Sequence, residues 1–399
     1  MKSERIELYP TKNSRRLLKV SFLGHIFNDM YWFIIPIALP LIKSEFDLNY
    51  TQSGLLVSSY TIIGAFGSLI TGYVGDRIGR RFILSWGFLL ASVALVLCAL
   101  SYNYWQLFLS LIILGAGISA FHPSMIAVLS TSFTYKRGTV LGLFQFWGWL
   151  GTLIIVMLAF LLIRLFSGWR GMLLILSIPG FVFAPLFFKF LRTLIGENPS
   201  HGRKKDKKYS LSVKKTKTSL PLVIFIISNT LFTMTYYGVI NFLPTYMVEE
   251  KSLSFALASY CIVIVFAGGL LGTITSGKAS DKISPLPVLI SFVTLGGPTI
   301  ILITLSHTYA MLLFLLVVLG ISYSGIWAPQ QAYLAEKTPQ SVRGGTYGII
   351  FCLSSIVGAI APGITGLTAD YLGFSNALKI STLPLFISLI LLFTLREDK

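Results

Sequence analysis

Charge is what this chain has least of. Aspartate, glutamate, lysine and arginine together make up 12% of its 399 residues, against 54% hydrophobic ones. A soluble globular domain carries about 25% charged residues, so that class is excluded. Acids are the scarcer sign, 15 against 32 bases, and histidine occurs only 4 times. Cysteine occurs three times, at Cys98, Cys261 and Cys352, each inside an apolar run. That placement excludes a disulfide framework, and no cysteine or histidine spacing announces a metal site. Whole motifs are missing as well. The chain has no G-x-x-x-x-G-K-[ST] loop, no H-E-x-x-H and no G-x-S-x-G. An ATP-driven pump, a zinc hydrolase and a serine hydrolase are therefore not expected, and neither is a cofactor. The first apolar run follows a polar tail and has no small-residue cleavage pattern, so it reads as an uncleaved span.

What the chain does have is apolar runs. A helix needs about 20 apolar residues to cross a bilayer. Twelve runs qualify, at 17–41, 53–74, 82–101, 105–128, 139–163, 171–191, 219–247, 255–277, 286–305, 309–334, 344–366 and 377–395. They are continuous and lack the strict alternation of barrel strands, so helices are expected. A net charge of +17 would suggest nucleic acid in a soluble protein. Here it follows topology. With the N-terminus inside, 27 of the 32 basic residues fall in the tails and even-numbered loops, which leaves only Lys43, Arg164, Arg170, Lys251 and Lys379 outside. The positive-inside rule then predicts a multi-pass protein of the cell membrane with both termini cytoplasmic. Its expected partners are the lipid bilayer and a small molecule, with no nucleic acid, and the chain is expected to act as a monomer.

One run breaks its own rule. Within VSFLGHIFNDMYWFIIPIALPLI, His25, Asn28, Asp29, Trp32 and Pro36 stand at helical spacing and line one face. Asp29 is the only one of the 15 acids set deep inside a span. A charge at the bilayer centre costs roughly 2.5–3.5 kcal/mol on insertion scales. A group that can take up a proton avoids that cost, which suits Asp29 and its neighbour His25 to proton coupling as one coupled pair. The alternative is a polar clamp between helices, with no role beyond packing.

The longest polar stretch, 192–218, is basic and poor in apolar residues. It divides the chain into residues 1–191, a cytoplasmic basic linker at 192–218, and residues 219–399, with six spans on either side. The halves share a signature. Gly72-Tyr73-Val74-Gly75-Asp76-Arg77-Ile78-Gly79-Arg80-Arg81 follows the second span, and Gly277-Lys278-Ala279-Ser280-Asp281-Lys282 follows the eighth. The first fits G-x-x-x-D-R-x-G-R-R and the second is a decayed copy. Gly72 permits close helix approach, Asp76 can cap a neighbouring helix N-terminus, and Arg77, Arg80 and Arg81 hold the loop inside.

In this signature and in its twelve spans the chain resembles the major facilitator superfamily over essentially its full length. The resemblance implies an all-α membrane protein with two pseudo-symmetric six-helix bundles. It also implies a conformational-gating role for Gly72, Asp76, Arg77, Gly79, Arg80 and Arg81. The first, fourth, seventh and tenth spans would surround a central cavity. Their faces offer Asn28, Trp32 and His122, then Asn229, Thr233, Tyr236 and Tyr237, then Tyr323, Trp327, Gln330 and Gln331, with Gln145 on the fifth span. His122 precedes Pro123 and reads equally as part of a kink or as a ligand. The aromatic residues read as packing or as substrate contacts.

A narrower resemblance lies in GHIFNDM, AFHPSM and GLFQFWGWLG, which look like the fosmidomycin-resistance type of proton-driven exporters. Ser124 and Gly148-Trp149 depart from that group's usual residues. The expectation is a proton-coupled secondary transporter of a small organic solute, exporting by alternating access. A proton symporter importing a metabolite is its rival. A membrane-embedded enzyme, or a sensor that does not transport, stands further off.

Overall fold

The structure, a computed structural model, describes residues 12–133, 137–195, 220–338 and 343–395. Those residues form fifteen helices, and no strand occurs among them. In order they are α1 (Lys12–Glu45), α2 (Tyr50–Ile78), α3 (Arg80–Ala99), α4 (Tyr104–Ile118), α5 (Phe121–Ser132), α6 (Arg137–Leu165), α7 (Trp169–Ile195) and α8 (Leu220–Glu249). Then follow α9 (Phe255–Lys282), α10 (Pro285–Leu305), α11 (Tyr309–Gly325), α12 (Trp327–Lys337), α13 (Arg343–Leu372), α14 (Phe374–Ile380) and α15 (Leu383–Thr394). Among the described residues twelve segments are long and apolar enough to cross a membrane, as the hydropathy pattern requires.

Three of those spans are broken in two, and proline explains where. Pro123 has no N–H to give and its ring crowds the carbonyl four residues back, at Ser119. The helix breaks there, between α4 and α5. The released Ser119 carbonyl accepts from Ser68 Oγ at 3.3 Å and Thr71 Oγ1 at 3.1 Å, both on α2. Pro329 breaks the tenth span in the matching place, between α11 and α12.

The chain divides into two compact units, Met1–Ile35 with Ile63–Ser210, and Pro36–Ile62 with Leu211–Lys399. The expected linker lies outside the described residues from position 196 onward. In the first unit α3 packs on α4 and α7, and in the second α10 packs on α11 and α15, the same relation six spans later. The first unit's core is aromatic, with Phe88 and Phe187 stacked at 5.2 Å. In the second unit glycine lets α9 and α11 touch backbone to backbone: a Cβ on Gly272 or Gly320 would strike the carbonyl of Ile321 or Val265. There too Asp370, near the end of α13, accepts from the first backbone amides of α2, Tyr50 N at 2.8 Å and Thr51 N at 2.7 Å. A carboxylate suits that helix N-terminus.

Two turns match in detail. Ser101 Oγ donates to the Cys98 carbonyl at the end of α3, and Ser306 Oγ donates to the Ile303 carbonyl at the end of α10. Asn103 then caps α4 and Thr308 caps α11. Each turn also holds a cation against its free carbonyls. Arg170 donates to Ala99 and Ser101 at 2.7 and 2.6 Å, and Lys251 to Thr304 and Ser306 at 3.1 and 2.7 Å.

Candidate functional site

The polar face of the first span meets the broken fourth span inside the first unit. His25 Nε2 lies 3.4 Å from Asp29 Oδ2, and His122 Nε2 lies 3.3 Å from Asp29 Oδ1. Asn28 Nδ2 stands 3.4 Å from Asp29 Oδ1 and 3.3 Å from His122 Nε2. Four residues singled out in the sequence thus form one cluster. His122 sits one residue before the proline that breaks its span, and its ring reaches the carboxylate.

α6 completes the site through Phe144 and Gly148. His25 Nδ1 is 2.6 Å from the Phe144 carbonyl, and the two rings stack at 3.9 Å. A carbonyl only accepts, so Nδ1 carries the hydrogen and Nε2, facing Asp29, does not in the neutral ring. Two lone pairs would then oppose each other across 3.4 Å. The contact is attractive only with one further proton, on Nε2 or on the carboxylate. One turn along α6, Gly148 leaves room for the pair: a Cβ there would lie 2.5 Å from both Asp29 Oδ2 and His25 Nε2.

The cluster is closed on one side and open on the other. The His25 side chain is fully buried, whereas Asp29 is 15% and His122 29% exposed.

A family model described as Major Facilitator Superfamily matches residues 21–285 and 225–399. The chain belongs to that superfamily. Among curated relatives of this superfamily member, a putative metabolite transport protein of Haemophilus influenzae is 25% identical over 371 residues, 90% of each chain. The fosmidomycin resistance protein of Escherichia coli is 24% identical over 383 residues, covering 94% of this chain and 91% of that protein. Among solved structures, a bacterial homolog to the human lysosomal transporter Spinster, inward-facing and unoccupied, superposes with a TM-score of 0.87 at 16% identity. That match covers 96% of this chain and 97% of the other, and it shows the fold. Like its relatives, this superfamily member is a multi-pass transporter of small solutes and not an enzyme.

The other expected site residues fall in three groups. Trp32 is half-buried and packs on α2, where a Cβ on Gly64 would overlap its indole. Gln145 is exposed beside Phe144 on α6. In the second unit, Tyr236 is a core residue, its hydroxyl bonded to Ser322 Oγ at 2.6 Å and its ring 5.1 Å from that of Tyr323. Asn229 is bonded to Ser354, and Thr233 Oγ1 donates to the Asn229 carbonyl. Tyr237 packs where a Cβ on Gly358 would lie 3.2 Å from its ring. Trp327 is half-buried at the start of α12 and Gln331 is exposed. Among the described residues, Asn229 Oδ1 and Gln330 Oε1 are buried with no hydrogen-bond partner.

The gating signature spans the α2–α3 turn. Gly79 has φ +101°, a left-handed conformation that glycine adopts at no steric cost. A Cβ on Gly72 would lie 3.6 Å from that of Pro123. Arg77 stacks over Tyr73 at 4.2 Å and Arg81 over Phe82 at 4.8 Å. Arg80 opens α3, and the side chain of Asp76 lies outside the described residues.

Sequence reasoning missed the Phe144 carbonyl and Gly148. A backbone acceptor has no residue signature. Glycines at 148 and 151 were the available signal, since small residues within a span permit close helix approach.

Proposed function

We propose that this chain is a proton-coupled secondary transporter of a small organic solute, working by alternating access and exporting its solute. The observation that carries proton coupling is the His25–Phe144 hydrogen bond, which makes the His25–Asp29 contact depend on one shared proton. Asp29 carries that proton, His25 holds it in place, and Asn28 and His122 meet solute on the open side. In the second unit the unpaired oxygens of Asn229 and Gln330 offer polar contacts of the kind that a solute or water satisfies. Asp76 and its neighbours in the α2–α3 turn bias the conformational equilibrium without touching solute.

No lysine or arginine joins the cluster, so a neutral, cationic or weakly anionic amphipathic solute suits it best. An imidazolium at His25 or His122 would still admit one anionic group, which keeps fosmidomycin among the first compounds to try. Export is supported by GHIFNDM and AFHPSM, the stretches most like the fosmidomycin-resistance group. The distribution of basic residues supports the cytoplasmic membrane, with both termini inside.

Proteoliposomes under an imposed pH gradient test the reading. Labelled fosmidomycin comes first, followed by a panel of small organic acids and amines scored by solute-induced change in luminal pH. An antiporter accumulates solute in acid-loaded vesicles, whichever way the protein is inserted. Accumulation driven by external acid would make the chain an importing symporter. Solute exchange that never responds to the gradient would refute proton coupling.

A further inference from the structure

Three titratable groups at the ends of the spans are used up by helix caps: Asp370 on α2, Arg170 on the end of α3, and Lys251 on the end of α10. The cluster in the first unit is different, because its donor atoms converge. The geometry points to a binding site for a divalent first-row transition-metal ion, Zn2+ foremost, held by His25 Nε2, the Asp29 carboxylate and His122 Nε2. One ligand atom from each of the three residues lies within 4.8 Å of the others. Ligands about 2.0–2.1 Å from a tetrahedral ion stand about 3.3–3.4 Å apart. The two histidine–carboxylate separations, 3.4 and 3.3 Å, already have that length. They end on different carboxylate oxygens, so the carboxylate must turn to offer one oxygen to both rings, and the edge between the two imidazoles must close.

A second observation points the same way. His25 is fully buried, and its Nε2 has no hydrogen-bond partner among the described residues. Its Nδ1 is meanwhile held by the Phe144 carbonyl at 2.6 Å. That is how metal-binding histidines are oriented, with the far nitrogen donating to a carbonyl so that the near one presents its lone pair. Two imidazoles and one carboxylate favour zinc, nickel or cobalt over magnesium or calcium. Three protein ligands leave a fourth position, on the side where Asp29 and His122 are exposed, for water or a solute atom. Spacing in the sequence could not announce this site, because the ligands come from two spans, at 25, 29 and 122.

The ion and the shared proton claim the same atoms, so metal uptake expels the proton. The site itself stands on ligand geometry and does not rest on the transport reading. Purified full-length protein, its affinity tag removed, is titrated with Co2+ in detergent. The expected result is one ion per chain, with the d–d absorption of a four-coordinate nitrogen and oxygen site that Zn2+ abolishes. Asp29→Asn and His122→Ala should each weaken binding by about tenfold or more. His122→Cys, which keeps a ligand at that place, should restore it and add a thiolate-to-cobalt charge-transfer band. Absence of stoichiometric binding by the wild-type chain overturns the proposal, and so does unchanged affinity in Asp29→Asn and His122→Ala. Should His122→Ala fail to fold, the presence or absence of the charge-transfer band in His122→Cys decides. Binding is read without any transport, so its failure leaves proton-coupled transport standing, and a failure of transport leaves the site standing.

Discussion

Replacing Gly148 by alanine adds one methyl group at the most crowded point of the site. The new Cβ would lie 2.5 Å from Asp29 Oδ2 and His25 Nε2 and 2.7 Å from His25 Cε1, where ordinary contact begins at 3.4 Å. Something must therefore move by about 0.9 Å. His25 cannot retreat, because the same turn of α6 holds it through the Phe144 carbonyl at 2.6 Å and the ring stack at 3.9 Å. α6 cannot retreat cheaply either, since Gly151, one turn on, already meets the Ile26 backbone. Overpacking of this kind costs about 1–3 kcal/mol. Alanine's better helix propensity returns roughly 0.5–1 kcal/mol. The net loss is about 1–2 kcal/mol, a fall of about 1–2 °C in the unfolding midpoint at this chain length. Proton-driven transport should suffer more than stability, by about tenfold or more, because the pair that shares the proton is pushed off its geometry. Thermal unfolding in detergent and gradient-driven flux in liposomes measure the two effects. Gly277→Ala is the control: its nearest neighbour would be 3.8 Å away, and it should be neutral or slightly stabilising. Wild-type stability and flux in Gly148→Ala would refute the close packing of α6 on the pair.

Asp29→Asn keeps the volume of the side chain and removes the proton site; it should abolish accumulation driven by a pH gradient while solute counterflow persists, and full accumulation would make the cluster a mere clamp. Asp370→Asn removes the charge from the cap on α2, worth about 0.3–1 kcal/mol, so the Tyr50 and Thr51 amides should exchange with deuterium up to several-fold faster and the protein should unfold slightly earlier. Ser210→Cys, introduced into the basic stretch, should resist an impermeant thiol reagent applied to intact cells; ready labelling would reverse the topology drawn from the basic residues.

The spans were legible because hydropathy decides them: the tenth run, expected at 309–334, is found at Tyr309–Leu334. The breaks were legible only where proline stands, as at Pro123. The grouping of Pro36–Ile62 with the second unit was not, since it arises from contacts such as Asp370 with Tyr50, 320 residues apart. Of the site, His25, Asn28 and Asp29 followed from spacing on one helix, and His122 from a family resemblance that left its role open. Tyr236 had the right span and residue type for a solute contact, yet its hydroxyl is taken by Ser322 inside the core. Polarity within a span marks a constrained group, and only the fold shows what constrains it.

The two matched turns carry a consequence about ancestry. From Ser101 to Asn103, and from Ser306 to Thr308, the copies keep the same hydrogen bonds to the preceding helix and the same cap on the next one. The cations that seal them do not correspond. Arg170 stands at the start of α7, and the residue a constant offset would pair with it is Ser375; Lys251 comes from the α8–α9 turn, and its counterpart would be Phe46. Each half has filled the same electrostatic need from a different place in its chain. Superposing the sequences of the halves would pair both cations with uncharged residues and suggest a lost function. What the two turns share is a demand for positive charge beside the same free carbonyls, met from two different places in the chain.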